Sequence, residues 1–311
     1  MELPRRVNVY IISIFFVQYD TMSKSKEQNL RVFIGVTAAL HFIQFIVVVS
    51  LKYGKHLRSS FPLHVNYATW PEKLDAAKGF VNVSTGHYPV DLGWCVAAFF
   101  LLSSVFQFLS IIPFFWNNYV RSGVHPLRWI EYSVSASCLI LTAAVVVGID
   151  DLHFILLFFF ANFTVMMLGL IQEGRAHMYR ALVEANKTKP RGVFDFIEFL
   201  LPHGVGWVLY AVIWYILYDK FTLASNHGTK HPPTIVQAFY AINLILFAGF
   251  GILQFVQMYL YYNCIHDQRF GRMHVYLINC EWVYAAFSLI TKTFAAWFLY
   301  AGVLATSKAV L

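Results

Sequence analysis

Seven long apolar segments limit what this chain can fold into more than any other feature. Each has roughly 20 or more mostly apolar residues, which an α-helix needs to cross a bilayer. The segments lie at about 31–53, 92–116, 126–149, 151–172, 195–218, 235–263 and 276–305. Because backbone polar groups in lipid must be satisfied within the protein, we predict an all-α membrane protein, a bundle of seven transmembrane helices.

The composition agrees with an integral, multi-pass membrane protein. Hydrophobic residues make up 59% of the 311 residues and charged residues 13%, whereas soluble domains have about 25% charged residues. A net charge of +7 would suggest nucleic-acid binding in a soluble chain. In this chain it reflects the distribution of Lys and Arg between loops, so we expect membrane lipid and no nucleic acid as a partner. The four cysteines lack metal-ligand spacing, and we expect no metal site.

The connecting segments carry weaker signals. In residues 1–30, the apolar piece VNVYIISIFFV is too short to span a membrane, so it predicts an interfacial helix or an extension; a targeting peptide is the alternative. The long first loop, 52–91, contains the alternating stretches LHVNYA and GFVNVSTGHY, which predict a β-hairpin. Residues 31–305 then form the seven-helix domain, and 306–311 form a short tail.

The distribution of basic residues predicts the orientation. Counted together with Arg31 and Arg128 at the adjoining ends of the spans, the N-terminal segment and the second, fourth and sixth loops hold 14 of the 23 Lys and Arg residues, and the other loops with the tail hold 8. Cytoplasmic loops carry the excess of basic residues. We therefore expect a cytoplasmic N-terminus, an extracellular C-terminus and an extracellular hairpin.

Lys292 lies in the middle of the seventh segment, within SLITKTFAAW. It is ten residues past Trp282 and fourteen before Thr306, which places it roughly 15 to 20 Å from either end of a helix. A snorkelling lysine reaches only about 6 Å, so snorkelling does not bring this amine to water. An intramembrane amine must then be neutral, paired with an anion or covalently modified, and it marks a candidate functional site.

Glu131 is the candidate partner, because it is the only carboxylate of the third segment, in RWIEYSVSAS. Ser135 lies one helical turn after it, and Ser288 lies one turn before Lys292, so each charge has a hydroxyl on its own helix face. The alternative is a headgroup-level carboxylate that pairs with Arg128.

A desolvated amine can also react with an aldehyde, and a nearby carboxylate keeps the resulting imine protonated. With a polyene aldehyde the product absorbs visible light. Aromatic residues of the last three segments suit a flat apolar chromophore, although the same pattern is typical of ordinary packing. They are Trp207, Trp214, Tyr240, Phe247, Phe250 and Trp297.

With these motifs the sequence resembles the heliorhodopsins, retinal-binding seven-helix proteins of inverted orientation. WIEYSVSAS resembles the family's counter-ion motif and SLITKTFAAW its retinal-lysine motif. LHFIQF, NFTVMMLGLIQE and the long first loop extend the likeness over roughly Leu30 to Ala305.

The resemblance implies all-trans retinal bound covalently to Lys292 as a protonated Schiff base, with Glu131 as counter-ion, in a homodimer. The residues implied to surround this pair and the polyene are Ser288, Ser135, Val165, Met166, Trp207 and Trp297. Those implied to form a polar cavity and network on the cytoplasmic side are His41, Gln107, Glu173 and Glu281. The family often has a second histidine where this chain has Gln107, and His41 could equally be a packing histidine that is hydrogen-bonded to an amide.

Light-driven pumping is not expected, because the outer halves of the segments lack carboxylates that could relay a proton. The chain fits a photosensor that acts on a cytoplasmic signalling partner, and we expect no enzyme activity. One alternative is a light-gated passive proton channel whose path includes Glu198, His203 and Gln107. Another is a seven-helix receptor or transporter that binds no chromophore and uses the Lys292–Glu131 pair structurally.

Overall fold

The computed structural model describes residues 5–55, 60–69, 81–185, 193–227, 234–267 and 270–300, with the side chains of 5–24 left out. Its helices are α1 (Arg5–Lys55), α2 (Leu92–Ser110), α3 (Pro113–Asn118), α4 (Pro126–Val146), α5 (Leu152–Glu184), α6 (Val193–His227), α7 (Thr234–His266) and α8 (Phe270–Leu299). Its strands are β1 (Ser60–Thr69) and β2 (Val81–Asp91). Among the described residues, seven helices are long and apolar enough to cross a membrane, which confirms the predicted architecture.

Several predicted segments differ in length from the helices, among them the second and the fourth. The segment 92–116 is divided, because α2 ends at Ser110 and α3 begins at Pro113. Ile112, between them, is extended with φ −64° and ψ 136°, as expected of a residue before proline. In contrast, α5 continues past the predicted end at 172 to Glu184. Its 33 residues give a length of about 50 Å, well above the roughly 30 Å hydrocarbon core.

The predicted hairpin is present in the first loop. β1 and β2 pair in antiparallel register from Ser60 opposite Asp91 to Thr69 opposite Val81. Asp91 also caps α2 by accepting a hydrogen bond from the Trp94 amide at 3.1 Å. The hairpin therefore leads directly into the second transmembrane helix. We call the end of the bundle that holds the hairpin the outer end, and the end that holds the start of α4 the inner end.

Asp151 attaches the hairpin to the turn between α4 and α5. Its carboxylate accepts hydrogen bonds from the Phe154 amide at 3.0 Å, at the start of α5, and from the Asn66 amide of β1 at 3.1 Å. Burial is the largest single influence on Asp151 and opposes its ionisation, but the hydrogen bonds together outweigh it and lower the pKa of the carboxyl. Gly148 makes the turn possible because its φ is +89°, a conformation that favours glycine.

The outer half of the bundle encloses an apolar core. Its buried side chains come from all seven spanning helices and from β1, and they include Val96, Leu139, Leu217, Phe239 and Leu299. Most of the buried polar and charged side chains lie instead at mid-bundle and at the inner end. This asymmetry places the candidate site at the inner boundary of the apolar core.

The N-terminal segment is not a separate helix in the described backbone. Residues 5–30 belong to α1 and continue without interruption into the first span. Whether its apolar piece lies at the membrane interface stays a prediction. The expected tail, 306–311, lies outside the described residues.

Candidate functional site

Lys292 of α8 and Glu131 of α4 meet in the interior of the bundle. The Lys292 Nζ atom is 2.5 Å from Glu131 Oε1, and the two side chains are only 8% and 2% exposed. Each charge therefore neutralises the other, as two buried ions must. This geometry rules out the snorkelling alternative for Lys292. It also rules out the alternative pairing of Glu131 with Arg128, whose guanidinium binds other carboxylates.

Ser103 of α2 completes this pair, a role that the sequence did not reveal. Lys292 Nζ donates to Ser103 Oγ at 2.6 Å, and Ser103 Oγ lies 2.9 Å from Glu131 Oε1. The predicted hydroxyls, Ser135 and Ser288, are buried, and in the described part of the chain neither makes a hydrogen bond to Lys292 or Glu131. Helical spacing identified the serines on the same helices as the two charges. It could not identify a serine contributed by a third helix.

Tyr132, next to Glu131, borders the site on the other side. Its ring lies under the Lys292 ammonium, with Nζ 4.9 Å from the ring centroid, an arrangement in which the ring quadrupole attracts the cation. The Tyr132 side chain lines three cavities. One of them also contains Glu131 in its wall, the second contains Lys292, and the third contains neither residue of the ion pair. Tyr132 therefore separates an apolar compartment from a polar one.

The apolar compartment begins at Lys292 and extends between the helices. A cavity of about 410 Å³ is lined by Lys292 and Ser135 together with aromatic side chains. It shares Tyr132, Met166 and Phe250 with a second cavity of about 620 Å³. Together they form a long, mostly apolar space that starts at a primary amine. Such a space fits a long apolar aldehyde.

Several predicted contact residues line this space. Val165, Met166 and Trp207 lie on the wall of the larger cavity. His203 lines it too, and its Nε2 accepts a hydrogen bond from Trp207 Nε1 at 2.7 Å. Glu198 lies apart on the surface, where it pairs with Arg175 at 3.1 Å.

Trp297 is not among the residues that line either cavity, in contrast to its predicted place. It follows Lys292 by five residues, a rotation of about 140° around the helix, so it faces away from the amine. Its indole nitrogen donates instead to Gln44 Oε1 of α1 at 3.2 Å. Trp214 and Tyr240 belong to the outer core, where the Tyr240 hydroxyl donates to the Trp214 carbonyl.

The predicted inner residues Glu173 and Glu281 lie together on the two sides of Arg128. The two terminal nitrogens of the guanidinium each bind one carboxylate. Its carbon atom lies 3.8 Å from the centroid of the Tyr284 ring. All three charged side chains are nearly inaccessible to solvent, so this cluster joins α4, α5 and α8 within the bundle.

A third cavity, which we call the inner cavity, connects the ion pair with this cluster. It has a volume of about 370 Å³ and is lined by Glu131, Gln107, Ser110, His125 and Glu281, among others. Gln107 therefore lines a cavity together with Glu131, and the cytoplasmic location of this cavity stays a prediction. The sequence did not identify Ser110 and His125 as site residues, because both lie outside the recognised motifs. Ser110 is the last residue of α2, and His125 lies in the loop before α4.

His41 is not among the residues that line the inner cavity. It is fully buried, and neither of its ring nitrogens has a hydrogen-bond partner among the residues that the structure describes. Its ring packs against Phe100 with the centroids 5.8 Å apart. The structure therefore agrees with the packing alternative for His41, although without the amide bond that this alternative included.

The sequence model of the heliorhodopsin family matches residues 30–304, which is most of the chain. The chain belongs to the heliorhodopsin family. No individual curated protein matches it. As a heliorhodopsin it is a light-sensing, rhodopsin-type membrane protein with multiple spans, and its family's chromophore is retinal. The buried amine, its carboxylate and the apolar space beside them fit this cofactor.

Proposed function

We propose that this heliorhodopsin is a photosensor in which Lys292 binds all-trans retinal covalently and Glu131 is the counter-ion. The observation that carries the proposal is the 2.5 Å contact of the two side chains at the end of the apolar space. Bound retinal supplies absorption of visible light and a change of shape on isomerisation. The protein's own side chains stabilise the charge at Lys292, position the ion pair and exclude water.

Each side chain of the site has a distinct task in this proposal. Glu131 keeps positive charge favourable at Lys292, because an anion at this distance strongly stabilises the charged form. Ser103 fixes the relative position of the two groups through its contacts with both. Met166 and Trp207 shape the apolar space and keep water away from the amine.

The distribution of carboxylates supports sensing rather than pumping. Among the described residues, the acids outward of Lys292 are confined to the outer ends, at Asp91, Asp150, Asp151 and Asp219. The intervening core is apolar. A proton released from the site has no carboxylate on which to continue outward.

The inner end offers a route for a signal. The inner cavity extends from Glu131 to Glu281, which binds Arg128 and so joins α8 to α4. A change at the Lys292–Glu131 pair therefore acts on groups that hold the inner helix ends together. We propose that a cytoplasmic partner reads the resulting movement, consistent with the inward excess of basic residues.

A light-gated passive proton channel is the second candidate, and the inner cavity is the observation that favours it. However, the residues expected along its path are dispersed. Gln107 lines the inner cavity, His203 lines the apolar space and Glu198 lies on the surface. Voltage-clamp recordings separate the two functions, because a photocurrent that reverses at the proton equilibrium potential would identify a channel.

The remaining proposals concern topology and assembly. We propose that 31–305 is the retinal-binding domain, with 1–30 and the N-terminus in the cytoplasm and 306–311 outside. This follows from the count of basic residues. A homodimer is proposed from family membership.

Absorption spectra after addition of all-trans retinal test the proposed site. The wild type should become coloured, and Lys292→Ala should stay colourless because no amine is available. Glu131→Gln should absorb at longer wavelength or lose its protonated form at lower pH, because the stabilising anion is gone.

Lys220→Ala is the matched control. Lys220 lies near the outer end of α6, whereas Lys292 and Glu131 belong to α8 and α4. It should bind retinal and absorb like the wild type. Visible colour in Lys292→Ala equal to that of the control would refute the covalent attachment.

A further inference from the structure

His125 is buried at the inner end of the bundle with both ring nitrogens engaged. It directly precedes Pro126, the first residue of α4, and is 6% exposed. Its Nε2 lies 3.0 Å from Ser110 Oγ, and its Nδ1 lies 3.0 Å from Glu281 Oε2. Its backbone amide donates to Glu173 at 2.9 Å. The ring is thus held in one orientation on the wall of the inner cavity.

The direction of these hydrogen bonds determines where the ring protons are. Ser110 has one hydroxyl hydrogen, which it donates to the Phe106 carbonyl at 2.7 Å. Its oxygen must then accept from His125, so Nε2 carries a hydrogen. Glu281 binds Arg128 through its other oxygen and is an acceptor only, so Nδ1 carries a hydrogen as well. His125 with both hydrogens is an imidazolium cation.

The charges of the cluster lead to the same protonation state. Glu173 and Glu281 supply two negative charges, and Arg128 supplies one positive charge. With a neutral His125 the buried cluster would have an uncompensated negative charge, which is costly in a low dielectric. An imidazolium makes the cluster neutral. The other polar group bound to it is the Gln257 amide, which donates to Glu173 at 3.2 Å.

We infer that His125 exchanges a proton with Glu131 across the inner cavity. Both residues line this cavity, whose polar side chains and room of about 30 Å³ for the centres of water molecules suit bridging water. Tyr132 and Tyr284 also face the cavity, but their phenols are weaker acids than an imidazolium. His125 is therefore the group on this wall best able to give up a proton. The inference rests on the proposed function, because it assigns a task to the proposed counter-ion.

The exchange conserves every proton and charge. His125 Nε2 gives its proton to Ser110 Oγ, and the Ser110 hydroxyl releases its own hydrogen to cavity water. The water in turn gives a proton to the Glu131 carboxylate. His125 ends neutral and Glu131 ends protonated. The contact with Lys292 keeps Glu131 ionised, so the transfer occurs only after that contact is broken. The cluster of Arg128, Glu173, Glu281 and the now neutral His125 then has a net charge of −1. This uncompensated charge weakens the attachment of α8 to α4.

Nitrogen NMR of ring-labelled histidine in the full-length protein in lipid tests the protonation state, with and without retinal. The difference between wild type and His125→Asn should show one ring with both nitrogens protonated at pH 7. His153→Asn, a histidine exposed on the outer side, is the matched control and should leave that signal in place. A neutral His125 ring at pH 7 would overturn the inference. This readout needs no photochemistry, so it can succeed or fail independently of the proposed function.

Time-resolved infrared spectroscopy of the retinal-bound protein tests the transfer. Illumination should produce a protonated-carboxyl band that is absent in Glu131→Gln, together with loss of the imidazolium signal. Ser110→Ala retains the His125–Glu281 contact but removes the relay, so it should slow the transfer by roughly tenfold or more. Unchanged kinetics in Ser110→Ala would refute the relay, and this variant keeps the test available if His125→Asn fails to fold. A carboxyl band without imidazolium loss would identify a different donor and overturn the inference.

Discussion

Replacing Arg128 with leucine should destabilise the protein more than removal of any surface charge. Its guanidinium binds Glu173 and Glu281, and the side chains of the three residues are 4%, 0% and 6% exposed. Removing one partner of a buried ion pair costs about 3–5 kcal/mol, because the other charge stays buried without compensation. Since Arg128 serves two carboxylates, we expect a loss near the upper limit, about 5 kcal/mol.

Arg175→Leu is the matched control on the neighbouring helix. Arg175 pairs with Glu198 at 3.1 Å, but the two side chains are 38% and 73% exposed. Exposed pairs contribute about 0–1 kcal/mol. The two leucine variants should therefore differ by about 4 kcal/mol, or close to a thousandfold in the unfolding equilibrium constant.

The assay is equilibrium unfolding in mixed micelles, followed by helical circular dichroism as sodium dodecyl sulfate is added. Retinal is left out, because a bound ligand would add its own stabilisation. The triple variant Arg128→Leu, Glu173→Gln and Glu281→Gln should regain much of the loss, since it removes both carboxylates together with the guanidinium and leaves His125 free to become neutral. Equal effects of Arg128→Leu and Arg175→Leu would refute the assignment of a buried ionised cluster.

Three further predictions follow from single contacts. Ser103→Ala should keep visible colour with retinal but shift the absorption maximum, because Lys292 and Glu131 lose a shared hydroxyl; an unshifted spectrum would contradict this. Gly169→Ala should cost about 1–3 kcal/mol in unfolding, because its Cβ would lie 2.4 Å from the Trp129 ring, whereas Gly174→Ala, which meets nothing within 4 Å, serves as the control. Folding lowers the pKa of Asp151, so ionised Asp151 stabilises the folded state. This stabilisation is complete above the pKa of about 3.9 in the unfolded state and disappears as the pH falls through the pKa in the folded state. The protection factor of the Phe154 amide, which is its exchange rate relative to the intrinsic rate at the same pH, should therefore fall in acid, and Asp151→Asn should remove that pH dependence.

The sequence was sufficient for the features that depend on one segment at a time. Segment length and apolar content predicted the seven spans, because the thickness of the bilayer fixes how many residues a spanning helix needs. Alternation predicted the hairpin, since side chains alternate between the faces of a strand. Lys292 and Glu131 were identifiable because each is the only charge in the apolar interior of its span.

Only the tertiary structure decided which side chains from different helices meet. Ser103 binds the ion pair, and His125 and Arg128 join the inner carboxylates, because three or more helices bring them together. Trp297 lies in a recognised motif but faces another helix. Spacing along one helix shows which residues share a face, whereas the rotation and neighbours of that helix are set by packing over the whole bundle. The charges were therefore determined by the sequence, and their partners by the fold.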